Sequence, residues 1–111
     1  MTDDSVPNNL QSIVESAQRM QQELGRVQGE LANRTVEGAS GGGMVVAVAN
    51  GKQQLVSLRI EQEVVDPSDV GMLQDLVVAA VNQALAKAAE LAQQEMAKLG
   101  GQLNLNIPGL F

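Results

Sequence analysis

Leu10, Ile13, Ala17, Met20, Leu24, Val27 and Leu31 follow one another at alternating spacings of three and four, an apolar seam along residues 8 to 34. Only the 3.6-residue period of an α-helix brings these positions onto one face, so the chain opens with a long amphipathic helix. Asn8 or Asn9, following Pro7, is the expected N-cap. Glu15, Arg19 and Glu23 are four apart on the flank, as are Arg26, Glu30 and Arg34, so both runs can form intrahelical ion pairs. Gly25 and Gly29 fall on the outer side, each at a cost of about 1 kcal/mol relative to Ala. A helix weakened in this way, with so long a seam, leans on another helix.

From residue 35 the period changes to alternation, the signature of strands. Thr35-Val36-Glu37 begins a strand, Gly41-Gly42-Gly43 breaks the pattern, Met44 to Ala49 resumes it and Leu55 to Ile60 repeats it. Asn50-Gly51 between the last two is the preferred pair for a two-residue type I′ turn. That register pairs Val45 with Val56. It puts Val56, Leu58 and Ile60 on one face and Met44, Val46, Val48 and Leu55 on the other. Both faces of the ribbon are then partly apolar, so one meets the chain's own helices and the other meets a second copy. Met44, Val46, Val48 and Leu55 are the expected dimer interface.

A second long helix spans residues 66 to 99, with Asp66-Pro67-Ser68-Asp69 as cap and N1 proline and Gly100-Gly101 as its stop. Leu73, Val77, Ala80, Ala84, Ala88 and Leu91 form one stripe, opposite Gln83, Lys87, Glu90, Gln94 and Lys98. Eight alanines between Ala79 and Ala97 keep the helix narrow, so a neighbouring backbone can approach closely. The division is a disordered tail over 1–7, a domain over 8–101 and a C-terminal tail over 102–111. In that last segment Leu103, Leu105 and Ile107 alternate with polar residues, which leaves a short added strand as the alternative.

Composition narrows the function. The 111 residues include one aromatic, Phe111, so the core must be built from aliphatic side chains, and a chain without disulfides finds missing buried area in a partner subunit. With no Cys and no His, zinc sites, thiol chemistry and imidazole proton transfer are excluded. The opening MTDDSVPNN is unlike a secretory signal, and no apolar run approaches the length of a membrane span, so a cytoplasmic protein without a membrane partner is expected. A net charge of −6 leaves nucleic-acid binding to local placement of the seven basic residues.

The glycines do not make a phosphate loop. Gly43 is followed by Met44 and Val45 where a P-loop needs Lys and Ser or Thr, and a strand follows where a dinucleotide fingerprint needs a helix. Glu61, Glu63, Asp66 and Asp69 cluster at a strand end and helix cap, where carboxylates serve structure, and lack the order of a calcium loop. No serine has a histidine to activate it. An enzyme, a cofactor and a small-molecule substrate are therefore not expected. Arg19 and Arg26, seven apart, align along the first helix with Arg34 near its end, and Lys87 and Lys98 align on the second. Two copies around a shared groove could turn these toward phosphates. Alternatively the arginines merely neutralise Glu15, Glu23 and Glu30. Base stacking on aromatics is excluded by composition.

The run VEGASGGGMVVAVANGKQQLVSLRI, then VVDPSDVGMLQDLVVAAVNQALAKA and the closing PGLF, resemble the YbaB/EbfC family of bacterial nucleoid-associated proteins over about residues 8 to 111. The resemblance implies an α+β fold. Its α-β-β-β-α protomer has a three-stranded antiparallel sheet flanked by two long helices, in an intertwined homodimer whose projecting helices bind duplex DNA in the nucleoid with little sequence preference. Basic residues on the arms and sheet rim carry that binding, which points to Arg19, Arg26 and Arg34, with Lys52, Arg59, Lys87 and Lys98. The first helix departs from the family's habit in having no lysine. A second function stands beside this one: an acidic dimeric scaffold that engages another protein and binds DNA weakly or not at all.

Overall fold

The computed structural model describes the backbone of residues 5–102 and the side chains of residues 10–100. In order these form α1 (Ser5–Asn33), β1 (Thr35–Ser40), a 3-10 turn (Gly41–Gly43), β2 (Val45–Asn50), β3 (Leu55–Ile60), a second 3-10 turn (Gln62–Val64) and α2 (Val70–Gln102). The α-β-β-β-α order and the antiparallel sheet β1-β2-β3 agree with the sequence pattern.

The helix ends differ from it. α1 starts at Ser5, ahead of Asn8 and Asn9, and takes Pro7 into its first turn, where a missing N–H breaks no helical bond. Of the expected tails, residues 5–7 are thus helical, while 1–4 and 103–111 lie outside the described residues. Pro67 occupies a turn instead of N1: Asp69 N donates to Asp66 O at 2.9 Å, and Asp66 Oδ1 accepts from Ser68 N at 3.0 Å and Ser68 Oγ at 2.7 Å. Asp69 is the cap, its Oδ1 accepting from Met72 N at 3.2 Å. α2 continues through Gly100 and Gly101 instead of stopping, because Leu99, 4% exposed, is anchored against Val27 and Leu31 and tertiary packing outweighs the glycine propensity.

The hairpin is one residue longer than a type I′ turn. Gln53 N donates to Asn50 O and Asn50 N to Gln54 O, leaving a three-residue loop in which the positive φ, 60°, falls on Gln53. Asn50 Oδ1 accepts from Lys52 N and Gln54 N, which fixes the loop. Gly51 serves close approach: a Cβ there would lie 2.7 Å from Leu31 Cδ2. Its N–H donates to Leu31 O in the last turn of α1 and to Arg34 O just beyond the helix, tying the hairpin loop to that end. With the longer loop and a bulge at Val48/Ala49, Val45 pairs with Ile60, not Val56. The shift is an even number of residues, so Leu58 and Ile60 keep their face, opposite Ala47 and Val45, while Arg59 and Ser57 stand opposite Val46 and Val48. The bulge moves Leu55, which pairs with Ala49 and so shares the face of Leu58 and Ile60 instead of that of Met44, Val46 and Val48.

α2 lies across β1 and β2. Ala80, Ala84 and Ala88 are fully buried against Val45, Ala47 and Ala49. A Cβ on Gly38 would run into the Ala80 carbonyl and the Ala84 amide, so the narrow helix does admit a strand backbone. Ser40 Oγ donates to Leu76 O at 2.6 Å, and Gln83 Oε1 accepts from Ala39 N at 2.7 Å, tying β1 to α2. No such cover reaches β3, every residue of which is exposed.

A smaller core joins the helices through Val27, Leu31 and Leu99, with Leu24, Leu91 and Ala92 around them. Arg34 meets Glu95 while Val27 meets Leu99, so the helices are antiparallel and overlap only near α1's C-terminal end. The rest of α1 extends the line of α2, giving a rod of 81 × 24 × 18 Å.

Candidate nucleic-acid interface

The seven basic residues divide into two groups. Arg26 is held on its own helix, 2.7 Å from Glu23 Oε2 and 2.7 Å from Glu30 Oε1. Arg34 reaches across to Glu95 at 2.7 Å, and Lys98 approaches the other oxygen of Glu95 at 3.1 Å. Arg59 lies 3.7 Å from Glu61. By contrast Arg19, Lys52 and Lys87 have no ion-pair partner among the described residues, and all three are exposed.

These pairings shape the electrostatics. The α1–α2 junction brings Arg26, Arg34 and Lys98 together with Glu23, Glu30 and Glu95, so it carries no net charge. Lys98's hydrogen bond, aided by the charges of Lys98 and Arg34, holds the Glu95 carboxyl below its ordinary range against the opposing effect of partial burial. Arg26 does the same to Glu23, chiefly through their hydrogen bond. The expectation that arginines neutralise glutamates fits Arg26. It fails for Arg34, which takes its partner from α2, and for Arg19, which leaves Glu15 alone. Sequence spacing carries no signal for Glu95, 61 residues from Arg34.

The acidic run is structural. Asp66 and Asp69 hold the turn and cap described above, Asp66 with its carboxyl lowered by the Ser68 hydrogen bonds, and Glu61 faces Arg59. The described residues contain no group of His, Cys, Asp or Glu arranged to hold a metal ion. None of their helices is long and apolar enough to cross a membrane.

Of the expected dimer residues, Val46 is 8% exposed inside the protomer, Met44 and Val48 are half-buried, and Leu55 is 47% exposed. Within the sheet the apolar surface left open is β3, with Val56, Leu58 and Ile60 exposed beside Leu55. Val56 and its neighbours are open because α2 ends its coverage at β2, which strand alternation alone does not reveal.

A two-helix protomer with a half-covered sheet and a projecting, sparsely charged arm belongs to a defined class. Residues 7–103 match the model of the YbaB/EbfC DNA-binding family, and the chain is a member of that family. It is 56% identical over 103 residues to nucleoid-associated protein TTE0040 of Caldanaerobacter subterraneus subsp. tengcongensis, covering 93% of this chain and 91% of that one. It is 54% identical over 103 residues, with the same coverage, to nucleoid-associated protein Teth39_2199 of Thermoanaerobacter pseudethanolicus. The crystal structure of uncharacterized protein HP0035 from Helicobacter pylori shares the fold, with a TM-score of 0.60 at 24% identity over 74% of this chain and 94% of that one. The family is described as DNA-binding, and both of these relatives are named as nucleoid-associated proteins.

Proposed function

We propose that the chain is a homodimeric protein of the cytoplasmic nucleoid that holds duplex DNA through phosphate contacts with little sequence preference. Family membership supplies DNA as the partner. The observation that carries the mode of binding is the set of unpaired cations, Arg19 on the arm, Lys52 at the hairpin loop and Lys87 on α2. A free guanidinium or ammonium meets a phosphate without first giving up a carboxylate, and such contacts position without reading sequence. Arg26, Arg34, Arg59 and Lys98 are secondary, because each must exchange a glutamate for the phosphate. The single aromatic leaves no platform for base stacking.

Dimerisation follows from β3. An exposed sheet edge bearing Leu55, Val56, Leu58 and Ile60 is a template for another chain, and a second copy covers both the unpaired backbone and the apolar side chains. Against DNA stands one observation: four of the seven basic residues are already paired in a chain of net charge −6, which suits an acidic scaffold.

Binding to two duplexes of unrelated sequence separates these functions. The expected result is comparable affinity for both, a large loss in the Arg19→Ala, Lys52→Ala, Lys87→Ala variant and a small one in Arg26→Ala. Binding of neither duplex at low salt, or strong preference for one, would overturn the proposal.

A further inference from the structure

α1 carries its apolar seam well beyond the point where α2 covers it. Exposure rises from 5% at both Leu31 and Val27, through half-buried Leu24 and Met20, to 64% at Ile13 and 54% at Leu10. The neighbouring Val14 is 50% exposed. Because the helices are antiparallel and Leu99 sits on Val27, α2 is directed at its Gln102 end toward this bare stretch. Nine residues follow, LNLNIPGLF, which contain five large apolar side chains and no charge.

We propose that residues 103–111 dock in cis along the α1 seam between Leu10 and Met20. The reach is right. Val27 and Leu10 are about 25 Å apart along the helix at 1.5 Å per residue, and nine extended residues span about 30 Å. Pro108 prevents α2 from simply continuing, since it lacks an N–H and clashes with the preceding turn. Docked as an extended segment, Leu103, Leu105 and Ile107 would share one face, and Leu110 and Phe111 would then fall at the Ile13 end of the seam. The segment would thus bring to the uncovered part of the arm the apolar area that α2 brings to the covered part. This inference does not depend on how DNA is held.

The chain has no cysteine, so an engineered pair reports directly. In the full-length protein, Ile13→Cys with Leu110→Cys should oxidise at least tenfold faster than Glu15→Cys with Leu110→Cys, whose helix position faces away from the seam, and the product should have the mass of one chain. Removing residues 103–111 should speed hydrogen exchange of the amides of residues 14–20. Equal oxidation rates, or a cross-link joining two chains, would overturn docking in cis. So would seam amides that stay protected after truncation, an outcome assigning the seam to a second copy.

Discussion

Gly38 and Gly51 are required by space and Gly25 is not, which makes the three a controlled set. At Gly38 an added methyl meets the backbone of Ala80 and Ala84, and at Gly51 it meets the backbone and side chain of Leu31. Gly38→Ala and Gly51→Ala should each destabilise by about 1–3 kcal/mol, as overpacking does. Gly25→Ala, in a helix with open space around it, should stabilise by about 0.5–1 kcal/mol. Urea denaturation of the three variants checks this. A harmless Gly38→Ala would mean that α2 does not press on β1 as described.

At the scale of elements, the joint between α1 and α2 depends on pH through its carboxylates. Glu95 and Glu23 have folded pKa values below the ordinary 4.5, so their contribution to stability is complete above that value and is lost as pH falls through the lower folded values. The thermal midpoint should be flat from pH 7 to about 5 and decline below 4.5, with a shallower decline in Glu95→Gln, as followed by circular dichroism. A midpoint independent of pH down to about 3 would show that the pairs contribute nothing. Both helices and all three strands are legible in the sequence because their periods, 3.6 and 2, are local properties of the chain. Register is not, because it hinges on Gln53 taking the positive φ that Asn50-Gly51 advertises. The α1–α2 joint is also illegible: the Arg34–Glu95 pair and the seat of Leu99 arise from the antiparallel overlap, which no single segment encodes. Among the candidate DNA contacts, sequence identifies the basic residues but does not separate paired Arg26 from unpaired Arg19.

On the scale of the whole molecule, a rod 81 Å long and 18 Å thick has little interior, and its third strand is bare. In the proposed homodimer a second copy on β3 would give that sheet its missing partner and place two arms on one particle. Leu58→Lys, which puts a charge opposite Ala47 on the open strand, should shift the mass found by light scattering from dimer toward monomer. An unchanged mass would move the interface away from β3. In such a dimer two arms would double the cations offered to the duplex, so DNA affinity should fall along with the dimer.

Salt dependence of duplex binding, measured for the wild-type chain beside the Arg19→Ala, Lys52→Ala, Lys87→Ala variant, tests most directly whether the unpaired cations hold phosphates. If they do, the slope of log affinity against log salt should be steep and negative, and shallower in the variant by about 0.9 for each phosphate no longer neutralised. Parallel slopes for the two proteins would contradict it, because the unpaired cations would then not be where the DNA lies.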